Sequence, residues 1–188
     1  MKIALIIIVV LLLVGLVAGG SLVGTRNTLV TERNAIESQW HQVDVVLQRR
    51  ADLIPNLVAT VKGYAKHETG AIEAVANARA ALNGARTPQD RIAANNQLDG
   101  ALSRLLVVVE NYPNLKADQQ FLRLQDELAG SENRIAVERR KYNEAVQRYN
   151  TDIELFPNNI AASLFGFSKN SAYFTTEPGA REAPKVNF

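Results

Sequence analysis

The sequence predicts an all-α protein, an N-terminal transmembrane helix followed by an antiparallel four-helix bundle with an aromatic C-terminal tail. Three observations predict it. No charge falls between Lys2 and Arg26, and residues 3–23 are almost wholly apolar. Between Thr28 and Phe156 glycine and proline are rare while apolar residues recur at helical spacing. Short stretches rich in proline, glycine and asparagine interrupt that pattern at intervals that suit corners between helices. The expected division is an anchor over residues 1–25, a bundle over 26–156 and a tail over 157–188, of which 157–174 packs back on the bundle.

Composition narrows the function classes. The chain has 188 residues, enough for one domain plus an anchor and a tail. It has no cysteine, which excludes disulfides, thiolate catalysis and cysteine metal sites. A formal net charge of +2 without a basic cluster or a recognisable motif argues against nucleic-acid binding.

The run from Ile3 to Val23 is long enough to cross a hydrocarbon core of ~30 Å at ~1.5 Å per residue. A cleaved signal peptide competes, since Ala18, Gly19 and Gly20 are small enough for a peptidase. The retained anchor is the expectation, because the apolar run continues to Val23 and helical periodicity begins almost at once. No cysteine follows the small residues, so this is not a lipoprotein signal. Lys2 on one side faces Arg26 and Arg33 on the other, a balance that leaves orientation weakly determined. The expectation is a single pass, with the slight charge bias leaning towards a cytoplasmic bundle.

Leu29, Ile36, Trp40, Val43 and Leu47 lay one apolar stripe along a first helix. That helix runs into Gln48-Arg49-Arg50-Ala51-Asp52-Leu53-Ile54-Pro55-Asn56-Leu57-Val58. Pro55 lacks a backbone N–H and pushes Ile54 out of the α region, so the stretch predicts a helix-to-helix corner at Asp52 to Pro55. One long helix kinked at Pro55 is the rival. Spanning Asn27 to Asn83 it would reach on the order of 85 Å, with too few partners to cover it.

A second helix resumes with Val58, Val61, Ala65, Ile72, Val75 and Leu82 and stops at Asn83-Gly84. Thr87-Pro88 begins a third, with threonine as N-cap, and it ends before Asn111-Tyr112-Pro113. In the last helix Phe121, Leu128, Ile135, Tyr142, Tyr149 and Phe156 repeat every seven residues. The second row holds Ser131, Glu138 and Asp152, which suits a bundle wall with polar contacts better than an apolar seam. Beyond Pro157 the aromatic residues Phe165, Phe167, Tyr173 and Phe174 predict packing onto the bundle, with a partner-binding patch as the alternative. Glu177 to Phe188 are expected to be mobile.

Three strings carry a family resemblance: Arg49 to Val58, Val61-Lys62-Gly63-Tyr64-Ala65-Lys66-His67-Glu68, and Glu110-Asn111-Tyr112-Pro113-Asn114-Leu115-Lys116-Ala117. With Glu132-Asn133-Arg134-Ile135-Ala136, Arg140-Lys141-Tyr142-Asn143, Tyr149-Asn150-Thr151 and Phe165-Gly166-Phe167, the chain resembles the LemA family of bacterial membrane proteins. The resemblance covers nearly the whole chain. Arg26-Asn27 departs from a frequent tyrosine-asparagine pair and Val46 from a frequent glutamine. The resemblance implies a single membrane helix and a helical-bundle domain usually placed in the cytoplasm, and it implies no established molecular function.

The residues singled out as signature and candidate interaction positions are Arg49, Arg50, Asp52, Pro55, Asn56, Glu110, Tyr112, Pro113, Glu132, Arg134, Tyr142 and Tyr149. Arg49 and Arg50 suit a phosphate or headgroup, and equally carboxylates such as Asp52, Glu132 or Glu138, the pairing preferred here. Lys62, Lys66, Arg139, Arg140 and Lys141 form a candidate basic surface, for which a solvated face is the simpler account. A metal site could be drawn from Glu37, His41 and Asp44 on one helix face or from His67-Glu68, but the second has Ala71 where the two-histidine motif needs a histidine, and a solvated or capping histidine is the simpler account.

No catalytic motif can be assembled, and no cofactor or small-molecule substrate is evident. The function expected is a non-enzymatic, membrane-anchored scaffold or adaptor. It would meet membrane lipid through residues 3–23 and act by self-association or by contact with other membrane proteins. The alternative is a lipid-binding or membrane-shaping protein that uses the basic surface and the aromatic tail.

Overall fold

The computed structural model describes residues 2–175, which form helices joined by short links, with no strand among the described residues. Glu177 to Phe188, expected to be mobile, lie outside the described residues. The helices are α1 (Lys2–Tyr64), α2 (Thr69–Gly84), α3 (Pro88–Val109), the single turn α4 (Pro113–Lys116), α5 (Gln119–Asp152) and α6 (Asn158–Leu164).

The expected corner at Asp52 to Pro55 does not form. Helix α1 runs through Pro55, and the break falls ten residues later, at residues 65–68. The physical reason is local. Proline leaves the carbonyl four residues back without its helical donor, which is Ala51 O here. Arg79 of α2 supplies that donor, its Nε donating to Ala51 O at 2.8 Å. Pro55 itself is exposed, so its ring meets no neighbour on the packed face, where Ala51, Ile54 and Leu57 are buried. The real turn is pinned by two phenols. Tyr64 OH donates to Asp118 Oδ2 at 2.9 Å, and Tyr112 OH donates to Glu68 Oε1 at 3.0 Å. The expected second helix is therefore divided, its first part belonging to α1 and its second to α2.

Other boundaries follow the local chemistry. Thr87 caps α3, its Oγ1 accepting from the Asp90 N–H at 3.1 Å with Pro88 in the first turn. Asp118 caps α5, its Oδ1 accepting from the N–H groups of Gln120 and Phe121 at 2.9 Å each. The Phe121 N–H, then the Tyr64 phenol, hold the Asp118 carboxyl below its ordinary range. Helix α5 ends at Asp152, so the seven-residue row does not reach Phe156 as a buried position. Phe121, Ile135, Tyr142 and Tyr149 are buried, and Phe156 is exposed.

The chain divides into two compact units, one of Met1–Gln39 with Tyr142–Ser171 and one of Trp40–Lys141 with the segment from Ala172. In the first, Leu29 and Ile36 of α1, Val146, Tyr149 and Ile153 around the end of α5, and Ala161 and Ala162 of α6 are buried. Tyr149 OH donates to Ser168 O at 2.9 Å, and Asn150 and Asn170 exchange side-chain and backbone hydrogen bonds at 2.8 Å each. Arg26 and Arg33 stand over the rings of Phe165 and Phe167, 5.7 and 5.8 Å from their centroids.

In the second unit a core of Ile54, Leu57, Val61, Ile72, Val75, Leu82, Leu98, Leu105, Leu115 and Phe121 joins the end of α1 to α2, α3 and the start of α5. Phe174 stacks on Trp40 with ring centroids 6.3 Å apart.

The N-terminal part of α1 is long and apolar enough to cross a membrane, with a mean hydropathy of 3.1 over its most apolar window. No part of the described protein covers it. The large apolar side chains from Ile3 to Val17 are exposed, as a bilayer would require.

Candidate functional site

Within the second unit, buried charge gathers around Arg50. On α1 the buried positions Val43, Leu47, Arg50, Ile54, Leu57 and Val61 repeat at alternating spacings of four and three, so Arg50 occupies a core position. On α3, Asn95 stands in the same register as Leu98 and Leu102, with Asp99 one turn on. Glu132 and Arg139 of α5 lie seven residues apart on one face.

Arg50 Nη1 pairs with Asp99, meets Glu132 Oε2 at 2.8 Å and donates to Asn95 Oδ1 at 3.3 Å. Asn95 Nδ2 donates to Asp99 Oδ2 at 3.0 Å. Arg139 reaches Asp99 at 3.4 Å and Glu132 at 3.9 Å, and its guanidinium lies 5.0 Å from the Phe174 ring centroid. Two guanidinium groups thus face two carboxylates, and three helices are tied at one level. Nearby, Arg91 of α3 pairs with Asp44 of α1 at 2.6 Å.

A groove of about 550 Å³ opens over this cluster, walled by Leu57, Leu102, Leu106 and Leu128 with Asp99 and Glu132 at its edge. The charges that line it are already paired with one another, which suits holding helices in register. Among the described residues no group of three or more histidine, cysteine, aspartate or glutamate side chains is placed to hold a metal ion.

The other singled-out positions are dispersed. Arg49 is exposed and forms no ion pair among the described residues. Asp52 accepts from Gln48 Nε2 at 2.9 Å on the helix surface, and Asn56 O accepts from Thr60 Oγ1 at 2.9 Å. Glu110 pairs with Lys116, Pro113 opens α4, Arg134 is exposed and Tyr142 is buried.

The residues of the candidate basic surface lie on two segments, Lys62 and Lys66 at and just past the end of α1 and Arg139, Arg140 and Lys141 on α5. Lys62 and Lys66 are exposed at the end of α1 beside Glu73, while Arg139 is engaged with Asp99 and Glu132. Lys62 lies roughly 18 Å along α1 from Arg50, at ~1.5 Å per residue. Arg140 is exposed, and Lys141 pairs with Glu138 at 2.9 Å. Asp99 and Asn95 escape the sequence reading, although the four-and-three register places Asn95 in the core.

A second acidic site lies in the first unit. Burial pushes the Glu32 carboxyl up to about 7, the Asp152 carboxylate adds to the rise and Arg148 opposes it. A carboxyl with a raised folded pKa stabilises the fold below its unfolded pKa and loses that contribution as pH rises through the folded value. Glu32→Gln is therefore expected to raise the melting temperature at pH 8 and leave it unchanged at pH 4, read by circular dichroism of the full chain in detergent. Equal destabilisation at both pH values would assign Glu32 a plain hydrogen-bonding role.

These features define a class, a helical protein with an uncovered apolar N-terminal span and a helical bundle fastened by charge-balanced ion pairs around a buried arginine. The chain belongs to the LemA family, whose model matches residues 39–188. It is similar to magnetosome protein MamQ 2 of Paramagnetospirillum magneticum, 28% identical over 93% of this chain and 73% of that protein. It is also similar to magnetosome protein MamQ of Magnetospirillum gryphiswaldense, 24% identical over 81% of this chain and 65% of that one. Protein LemA of Metamycoplasma hominis is 24% identical over 74% of this chain and 64% of its own length.

Proposed function

We propose that this chain is a non-enzymatic, membrane-anchored scaffold or adaptor of the bacterial inner membrane that self-associates or contacts other membrane proteins. One observation carries the reading: the single helix α1 holds both the uncovered apolar span and Arg50, the buried tie of the bundle. A helix built this way makes its anchor continuous with its packing surface. Four helical segments, from α1, α2, α3 and α5, would form the antiparallel arrangement, since the short links at 65–68 and 85–87 favour reversal of direction. The cytoplasmic side is the preferred location for the bundle. None of the relatives' names states a reaction, which agrees with a role other than catalysis.

Cross-linking in intact membranes, followed by identification of the attached proteins, tests the proposal together with sedimentation of the detergent-solubilised full chain. A self-linked or membrane-protein adduct is expected. A monomer that captures nothing under both conditions would remove the scaffold reading.

A further inference from the structure

The first unit exposes an apolar segment immediately beside the start of its packed part. Leu155, Phe156, Ile160 and Leu164 are 53, 80, 53 and 65% exposed. Ile160 and Leu164 share one face of α6, whereas Ala161 and Ala162 on its other side are buried. Gly166, at a φ of 71°, ends the helix, with the Phe167 N–H donating to Ala162 O at 2.9 Å. No charged residue occurs from Leu155 to Ser168, although Glu154 and Lys169 stand at either end.

The position of this segment decides its partner. Thr25 Oγ1 meets Asn158 Oδ1 at 3.3 Å, which fixes the start of α6 against α1 only two residues past Val23, where the apolar span ends. At ~1.5 Å rise per residue that is roughly 3 Å beyond the hydrocarbon edge. Arg26, the first charge after the span, lies over the ring of Phe165 at a depth suited to lipid phosphates. A soluble surface seldom leaves a phenylalanine 80% exposed beside three exposed aliphatic side chains.

We infer that Leu155, Phe156, Ile160 and Leu164 form a second membrane contact, inserted between the headgroups and upper acyl chains of the leaflet from which α1 emerges. The inference rests on the membrane-anchor reading and specifies where the chain touches lipid besides residues 3–23. Interfacial segments of this kind place apolar side chains at the headgroup boundary, and Asn159 and Ser163, which line one surface depression with Ile160 and Leu164, would reach the polar headgroups beside them. The contact would hold the first unit against the bilayer surface, whereas a lone spanning helix leaves it free to swivel.

The absence of native cysteine makes the test clean. Single-cysteine full-length variants Phe156→Cys, Ile160→Cys, Leu164→Cys, Val10→Cys and Asn77→Cys would carry an environment-sensitive fluorophore. They are reconstituted in vesicles of phosphatidylethanolamine and phosphatidylglycerol containing nitroxide lipids. Labels at 156, 160 and 164 are expected to be quenched several-fold more by a nitroxide near the glycerol end of the acyl chain than by one near its middle. The label at 10 should show the reverse, and the label at 77, on the exposed side of α2, should be quenched by neither.

Quenching at 10 with water-accessible labels at 156, 160 and 164 overturns the inference and leaves the anchor standing. Loss of quenching at 10 removes the anchor reading as well. A blue shift at 156, 160 and 164 without lipid quenching would assign the patch to protein contact, including a second copy, and also overturns the inference.

Discussion

Arg50→Ala is expected to lower the unfolding free energy of the full chain by about 2–4 kcal/mol, whereas Arg49→Ala, one residue away, stays within about 0.5 kcal/mol. The contrast arises from burial. Arg50 is 6% exposed and contacts Asp99, Glu132 and Asn95, while Arg49 is exposed. Removing Arg50 takes the fully buried Asn95 amide's donor away and leaves Asp99 and Glu132 with Arg139 as their remaining cation. The cost falls below the range for a fully buried pair because the Asp99 and Glu132 side chains remain 31 and 42% exposed. Denaturant unfolding in detergent, followed by circular dichroism, reads the difference. Adding Glu132→Gln to Arg50→Ala should cost less than the sum of the single changes, since both belong to one network. Equal losses for Arg49→Ala and Arg50→Ala would refute the cluster as the tie between α1, α3 and α5.

Arg79→Met is expected to cost about 1–3 kcal/mol by leaving Ala51 O without a donor in a buried setting. The second half of the test is Pro55→Ala, which restores the backbone N–H that would bond Ala51 O in an ordinary helix. Pro55→Ala alone is expected to be neutral or slightly stabilising. In its presence Arg79→Met should lose most of its effect. The same denaturation series measures this, and strictly additive changes would show that Arg79 acts through something other than the freed carbonyl.

Much of the fold is legible because helical periodicity is local. The stops at Gly84 and Val109 and the cap at Thr87 need only neighbouring residues, and all three stand where spacing and turn chemistry put them. Pro55 misleads for the opposite reason. Its local penalty is real, but the compensating donor comes from Arg79, which no window around residue 55 contains. Phe156 shows the same limit, since a seven-residue repeat says nothing about the helix ending at Asp152.

The candidate site is legible in part. Glu132 is among the carboxylates expected for the corner arginines, and the register of buried positions separates Arg50 from Arg49 once it is carried through residue 50. Asp99 could not be singled out, because an aspartate on a helix face looks solvated until a cation from another helix arrives. Arg139 reads as part of a basic run for the same reason.

By itself the sequence determined that this protein is helical, that residues 3–23 can span a bilayer, and that it belongs with the LemA family. Those properties depend on composition, short-range periodicity and ordered motifs. Only the tertiary structure decided that α1 passes Pro55 unbroken, that Arg50 rather than Arg49 is the buried tie, and that α6 sits beside the end of the span. Each depends on a partner distant in sequence: Arg79 for Ala51, Asp99 and Glu132 for Arg50, and Asn158 for Thr25. Hydrogen bonds and ion pairs compensate a backbone defect or a buried charge only where folding brings donor and acceptor within about 3 Å.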